Sequence, residues 1–245
     1  MLHRKIKFIH GFKKYVEMGN FMNPSLFDEG LTPTHLYAPT AGKFTSRNEG
    51  TYDWVTAITD QVGSINLTQT TDAYQIKYDS LAGAFKNDKG FNTRGFYTPS
   101  SPIVLTKANG YAVFLVVDRL PIGNGAGYFG FSASADGIYT ENTAGALGAG
   151  IIYGGVATGL SSSVSGKSVI AIRQDKIIEG ALTVNTTGLA YVFTLNQIFG
   201  RNASFSGNLS AQGKFYELQF FVDRSLTDAE FLAQSNYLKA YYNAT

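Results

Sequence analysis

The stretch DRSLTDAEFLAQSNYLKAYYNAT, residues 223–245, closes the chain with the signals of a single short helix. Thr227 is a good N-cap residue, because its hydroxyl can accept a hydrogen bond from a free backbone N–H. Glu230 stands three residues later, which is the spacing of a capping box. Leu226 and Phe231 flank the cap at the spacing of a hydrophobic staple. We therefore predict that a helix begins directly after Thr227.

This predicted helix has one apolar side. Four side chains fall largely on the same face: Phe231, Leu238, Tyr241 and Tyr242. A helix with one apolar face needs an apolar surface to lie on. The remainder of the chain is expected to supply that surface as a β-sandwich.

The composition of the chain favours one all-β domain. Its 245 residues are 44% hydrophobic and only 16% charged, with 27 Gly, 15 Tyr and 18 Phe. Aromatic and β-branched runs separated by Gly turns are typical of β-structure. Strands are predicted at 65–69, 74–79, 111–118, 127–133, 148–154, 168–174, 176–184, 190–196 and 214–222.

Three further expectations concern particular segments. The continuous apolar run 111–118 should be a central strand that is buried on both faces. The Pro-, Thr- and Gly-rich stretch 23–50 reads as a loop. Trp54 is the only tryptophan and is expected in the core, because a large ring buries much area.

Three segments resemble the concanavalin A-like, LamG-type jelly-roll family. The closing pattern FFVDRSLTDAEFLAQSNYLKAYYN (220–243) is the closest match, and IFGRNASFSGNLSAQGKFYELQFFVDR (198–224) resembles the approach to it. YDWVTAITDQVGSINLTQ (52–69) resembles the family's opening motif, although Val62 replaces a small polar residue. The resemblance covers roughly residues 50–243. It implies an antiparallel β-sandwich, a jelly roll, with one short C-terminal α-helix packed on it.

Most enzyme classes lack their usual sequence signals. Glycosidases need two carboxylates flanking the sugar bond, whereas Glu141, Glu179 and Glu217 stand apart in the sequence. The resemblance implies a structural role for Glu217 near an arginine such as Arg224. The three histidines, His3, His10 and His35, precede the predicted β domain, and no G-x-S-x-G occurs. We therefore predict no catalytic residues and no enzyme.

The sequence also shows no signal typical of a metal site or a nucleotide site. The chain has no Cys and no cluster of histidines, so no metal ligands and no cofactor are predicted. Calcium is possible in this fold, and no residues are assigned to it. SSSVSGKS (161–168) ends like a phosphate-binding loop, but its leading glycine is missing and a strand follows. We interpret it as an ordinary loop.

Sugar binding remains open, since a sugar ring packs its C–H face on an aromatic plate while its hydroxyls need polar partners. Four residues in or beside Gly-rich loops are candidates for glycan binding: Tyr128, Tyr139, Asn142 and Tyr153. The alternative is that the tyrosines among them fill or cover the core.

The N-terminal segment 1–30 reads as a basic arm that docks on a partner, with a first strand or a solvated tail as the alternative, and the lectin-like domain 31–245 follows. The predicted docking residues of the arm are Arg4, Lys5, Lys7, Lys13 and Lys14. The net charge of +2 gives no sign of a nucleic-acid-binding surface, and no signal peptide or membrane span is evident.

LamG-type domains similar to this one occur in phage particles. We therefore predict a phage virion protein, on capsid or tail. Its predicted partners are other virion proteins, and it is expected to form a homo-oligomer or part of a larger assembly. Binding of host glycans is possible. The alternatives are a stand-alone carbohydrate-binding module and a polysaccharide hydrolase or lyase.

Overall fold

The computed structural model describes residues 31–88, 95–119, 126–131, 137–143, 146–153, 156–159, 166–185, 192–200 and 212–245. For residues 119, 126–127, 130–131, 137–143, 146–153 and 156–159 it describes the backbone only. Within these residues every strand pair is antiparallel, and the strands form two sheets of twelve and six strands. The protein is thus an all-β sandwich with one helix near its C-terminus, as the sequence predicts.

The twelve-stranded sheet runs β16-β15-β14-β9-β18-β6-β5-β3-β4-β7, with β1 paired to β18 and β2 paired to β3. Its strands are β1 His35–Tyr37, β2 Phe44–Glu49, β3 Tyr52–Ile58, β4 Leu67–Thr68, β5 Lys77–Asp79, β6 Ala84–Asn87, β7 Thr98–Pro99, β9 Tyr111–Arg119, β14 Lys167–Arg173, β15 Lys176–Glu179, β16 Leu182–Asn185 and β18 Gly213–Val222.

The six-stranded sheet runs β13-β12-β11-β10-β17-β8. Its strands are β8 Ile103–Thr106, β10 Ala126–Phe131, β11 Gly137–Thr143, β12 Ala146–Tyr153, β13 Val156–Gly159 and β17 Val192–Ile198. Strand β8 lies at one edge of this sheet, and β17 is its hydrogen-bonded neighbour.

The two sheets enclose the main core, and β9 lies at its centre between β14 and β18. Successive side chains of a strand point to opposite faces, so the apolar run of β9 serves two layers. The side chains that face the six-stranded sheet are Tyr111, Val113, Leu115 and Val117. Those on the opposite, outer face are Ala112, Phe114 and Val116. The prediction of a central strand buried on both faces is confirmed.

Helix α1, Asp228–Tyr242, covers part of that outer face and packs on β14 and β9. The capping box is present: the Thr227 hydroxyl accepts from the Glu230 N–H at 3.2 Å, and the Thr227 N–H donates to Glu230 Oε2 at 2.8 Å. Phe231 and Leu238 are buried in a second core beneath the helix, whereas Tyr241 is 48% exposed. The apolar face is therefore narrower than the sequence predicts.

Two sequence-based expectations are wrong at the start of the domain. The stretch read as a loop contains β1 and β2. Strand β2 has the polar sequence FTSRNE and is largely exposed, so it lacks the apolar alternation by which a strand is recognised. Trp54 is half-buried on the outer face of β3, and its neighbour Val55 takes the core position instead.

Candidate functional site

The predicted glycan-binding residues lie on strands β10 to β12 rather than in one loop. Tyr128 is fully buried; its ring is 6.3 Å from that of Phe215, so it packs the core and offers no face to a sugar. Tyr139 and Asn142 lie on β11, and Tyr153 lies on β12. The side chains of these three residues are outside the described part of the chain, as are the basic arm residues Arg4, Lys5, Lys7, Lys13 and Lys14.

Two of the three glutamates considered for catalysis are buried on opposite faces of the twelve-stranded sheet. Glu179 accepts from the Ser168 hydroxyl at 2.9 Å and shares a face with Ile177 of the main core. Glu217 lies on the outer face, where it accepts from the Tyr242 hydroxyl at 2.6 Å. These two carboxylates therefore cannot flank one sugar bond.

The arginine expected beside Glu217 has a different contact. Arg224 forms an ion pair with Glu230 at 3.7 Å. The side chain of Glu141 is outside the described residues.

A cleft of about 360 Å³ lies beside edge strand β8; we name it the β8 cleft. It is lined by His35, Ile65, Pro102, Ile103, Val104, Thr106, Asn109, Val222 and Asp223. Four separate chain segments converge here, from β1, from the loop before β4, from β8 with its following turn, and from the end of β18. This volume falls in the range of small-ligand sites, roughly 300–1,000 Å³.

His35 forms one wall of the cleft and is held by a buried carboxylate. Its Nδ1 lies 2.6 Å from Asp60 Oδ2, and the Asp60 side chain is wholly buried. Asp60 also accepts backbone hydrogen bonds from Leu36, Val62, Gly63 and Ile65 at 2.9–3.2 Å. One carboxylate thus joins β1 to the turn that follows β3.

These contacts also set the charge of Asp60. Burial alone would raise the pKa of the carboxyl, but hydrogen bonds from His35 and from the N–H groups of Leu36, Gly63 and Val62 outweigh it and hold the pKa below its usual range. Because an ionised carboxylate only accepts, the His35 Nδ1 donates the hydrogen of this bond.

Gly63 is required by the same arrangement. A Cβ atom at this position would lie 2.6 Å from Asp60 Oδ2, 2.7 Å from His35 Nδ1 and 2.7 Å from the Thr34 carbonyl oxygen. The backbone of the turn therefore approaches the His35–Asp60 pair more closely than any side-chain-bearing residue allows.

The lining of the cleft also includes a second, exposed polar pair. The Asn109 side-chain amide donates to Asp223 Oδ1 at 2.9 Å. Asp223 follows β18 with a φ of 53°, a left-handed conformation that Asp and Asn tolerate better than most residues. This backbone conformation turns the chain out of the sheet and places the carboxylate at the cleft.

The β8 cleft thus combines hydrogen-bonding groups with apolar surface. His35, Thr106, Asn109 and Asp223 supply donors and acceptors, and Val104, which is 40% exposed, adds apolar surface from β8. A ligand with hydroxyl groups and C–H faces matches this combination. His35 also corrects the expectation that the histidines precede the β domain, because it opens β1.

The described residues contain no group of three or more His, Cys, Asp or Glu side chains that could hold a metal ion. No helix among them is both long enough and apolar enough to cross a membrane.

Comparison with known proteins gives a likeness of fold. No protein-family model and no curated protein sequence matches the chain. A Trypanosoma rangeli sialidase solved in complex with sialic acid matches with a TM-score of 0.54 and 12% identity, over 86% of this chain and 33% of that one. An arabinofuranosidase complexed with arabinofuranosyl-α-1,2-xylobiose matches with a TM-score of 0.49 and 15% identity, over 77% of this chain and 51% of that one. This second likeness is too weak to carry an argument.

The sialidase likeness shows a shared fold, and the chain spans a third of that enzyme's length. A mostly antiparallel sandwich of this kind fits a lectin-like or glucanase-like domain. The prediction that the chain is not an enzyme is corrected by this finding, because the fold occurs in a glycoside hydrolase. The separation of glutamates in the sequence was not sufficient grounds for that prediction.

Proposed function

We propose that the chain is a carbohydrate-recognition domain that binds a sugar residue in the β8 cleft. The observation that carries the proposal is the cleft itself, in which His35 is held by the buried Asp60, and the exposed Asn109–Asp223 pair lies beside apolar lining residues. Groups that are fixed before binding lose little entropy when a ligand arrives, so they favour recognition. The sialidase likeness supports a fold suited to this role.

The test is a glycan array followed by titration of the bound sugars. We expect hits with the full chain, and Asn109→Ala should weaken binding by about 1.5–3 kcal/mol, roughly tenfold or more, if its amide and its partner Asp223 contact the sugar. Asp223→Asn keeps a residue that tolerates the left-handed backbone and removes only the charge. Leu81→Ala, at a fully exposed turn, is the control. An array without hits, or equal affinities for all variants, would contradict the proposal.

A second candidate function is cleavage of a polysaccharide in the same cleft. The observation that favours it is the His35–Asp60 pair, because a carboxylate that orients an imidazole is a common arrangement for general acid–base catalysis. Incubation with neutral and uronic-acid polysaccharides should then release reducing ends or unsaturated products. His35→Asn should abolish the reaction, and the loss of binding on the array should be much smaller than the loss of activity. If no polysaccharide is cleaved across pH 4–9, this function is wrong.

The virion location stays a prediction from the sequence. We propose that the basic arm, residues 1–30, docks the domain on an acidic virion surface and leaves the sandwich outward. Charged contacts of this kind weaken with salt, since screening reaches about 8 Å at physiological ionic strength. Deleting residues 1–22 should reduce incorporation into purified particles, and unchanged incorporation would contradict the docking role.

A further inference from the structure

A second surface with the chemistry of sugar recognition lies on the outer face of β3. Tyr52 is 48% exposed, and Trp54, two residues along the same strand, is half-buried. Their rings meet edge to face, with centroids 6.1 Å apart. Side chains two apart in a strand share a face, so the two rings form one aromatic surface with planes inclined at 67°, which we name the Tyr52–Trp54 platform. It is distinct from the β8 cleft, because Trp54 and Asp60 are separated by roughly 20 Å of extended chain.

Fixed cationic side chains border the platform on both sides. Arg47 of β2 and Lys77 of β5 are the cross-strand partners of Trp54. The Lys77 Nζ lies over the Tyr52 ring, 3.8 Å from its centre, and 5.4 Å from the centre of the Trp54 ring, so one face of Tyr52 is already in contact with a cation. Asp88 holds this ammonium at 3.1 Å.

Arg47 is equally constrained on the other side. Its Nη1 lies 2.6 Å from Glu49 Oε2, and its Nε lies 2.9 Å from Gln75 Oε1 and 3.3 Å from Asp72 Oδ1. The platform is therefore flanked by ion-paired side chains on β2 and β5, which lowers the entropy lost when a ligand binds.

The charges around the rings indicate the class of ligand. The three cations Arg47, Lys77 and Lys86 are matched by three carboxylates, namely Glu49, Asp72 and Asp88. Because the charges balance, this surface does not attract an acidic polymer. The rings can pack against the C–H faces of sugar rings, and the ion-paired groups can form hydrogen bonds with sugar hydroxyls. We infer that the Tyr52–Trp54 platform binds an extended, uncharged polysaccharide chain. The inference rests on the proposed carbohydrate recognition and adds a second contact surface to it.

The tryptophan itself supplies the first readout, because Trp54 is the only one in the chain. Titration of the full chain with soluble xylan, hydroxyethylcellulose and dextran should change its fluorescence for at least one of these neutral polymers. Alginate, an acidic polymer, should produce a smaller change. A change confined to alginate would overturn the assignment of ligand class.

Affinity gel electrophoresis with the same polymers tests the residues. Trp54→Ala should weaken retardation by about tenfold or more, and Trp54→Phe should restore part of it because a ring remains. Tyr52→Ala should weaken retardation by a smaller factor. The matched control is Tyr241→Ala, since Tyr241 is also 48% exposed but lies on α1.

The outcomes separate this inference from the proposed function. If sugars bind in the β8 cleft but polymer retardation is unchanged in Trp54→Ala, the platform is wrong and the cleft stands. If Trp54→Ala abolishes retardation while Asn109→Ala does not alter it, the platform is supported as an independent surface. If neither sugars nor polymers bind, both proposals fail together.

Discussion

The outer face of the twelve-stranded sheet has two halves with opposite chemistry. The covered half, on β9, β14 and β18, lies under helix α1 and is built from aliphatic and aromatic side chains such as Phe114 and Phe221. The open half, on β2, β3, β5 and β6, carries Trp54, Lys77 and Lys86 on the same face. Both halves belong to one continuous sheet, and the apolar half is the one that the helix covers.

The polar groups of the two halves also differ in their surroundings, because those beneath the helix are buried and those of the open half are reached by water. Beneath the helix, Gln234 donates to Gln219 at 2.9 Å and Tyr242 donates to Glu217 at 2.6 Å, so the buried groups are joined into a network. In the open half, Asp88 lies 3.1 Å from Lys77 and 3.0 Å from Lys86 at a surface that water reaches. The covered half therefore serves stability, whereas the open half leaves Tyr52 48% exposed and Trp54 only partly buried. This contrast is the physical reason to assign them to binding.

The largest expected effect comes from truncating an aromatic residue in each half. Phe231→Ala removes a fully buried ring that contacts Phe114 with centroids 5.2 Å apart, and it should lower the free energy of unfolding by about 3–5 kcal/mol. Trp54→Ala should cost less than Phe231→Ala, because the Trp54 ring is only partly buried at the surface. Denaturant unfolding of both variants measures the difference. Equal losses of unfolding free energy in the two variants would contradict the assignment of the covered half to stability and the open half to binding.

The hydrogen-bond network under the helix gives the next effect. Tyr242→Phe removes the donor to a buried Glu217 carboxylate, and a cost of about 1–3 kcal/mol is expected. The pKa of Tyr242 is raised by burial and by the neighbouring Glu217, so the phenol remains protonated and continues to donate at neutral pH. Tyr241→Phe, one residue earlier on the exposed side, should be nearly neutral. A neutral Tyr242→Phe would show that the network adds no stability.

The dependence of the free energy of unfolding on acidic pH should come largely from Asp60, in the turn that follows β3. The folded-state pKa of Asp60 is lowered, so its ionisation stabilises the fold above the unfolded pKa of about 3.9, and this contribution disappears as pH falls through the folded value. Asp60→Asn should therefore be less stable than the wild type at pH 7, and the difference should shrink below about pH 4. Denaturant curves at both pH values measure it. A difference that is constant with pH would contradict the assignment.

The smallest effect is expected at the start of the helix. Thr227→Ala removes a cap that accepts from the Glu230 N–H, and a loss of about 1 kcal/mol is typical for such caps. Thr227→Ser keeps the hydroxyl and should retain most of the stability. If both substitutions have the same effect, the cap contributes nothing measurable to the covered half.

The sequence predicts features that are local in the chain. The capping box around Thr227 and the central strand 111–118 are confirmed, because each depends on neighbouring residues. Strand β2 was missed because it is polar, and Trp54 was misplaced because ring size alone does not show which face of a strand is buried. The segment 176–184, predicted as one strand, is two strands separated by a turn at Gly180, which has a φ of 59°.

The β8 cleft could not be found from the sequence. His35 and Asp223 are 188 residues apart in number, and only the antiparallel pairing of β1 with β18 brings their segments to one end of the sandwich. The motif at 52–69 contains the signal that sequence reasoning overlooked. Asp60 and Gly63 mark a turn built around a buried carboxylate, and such a carboxylate requires a donor such as His35.

The central claim is that sugars are recognised in the β8 cleft, and chemical-shift mapping by NMR tests it most directly. The ¹⁵N-labelled chain would be titrated with the sugars retained on the array or, failing hits, with a panel of monosaccharides at millimolar concentration. The account predicts the largest shifts at the backbone amides of His35, Thr106, Asn109 and Asp223. Shifts that are absent for every sugar, or that leave these four amides unchanged, would contradict it.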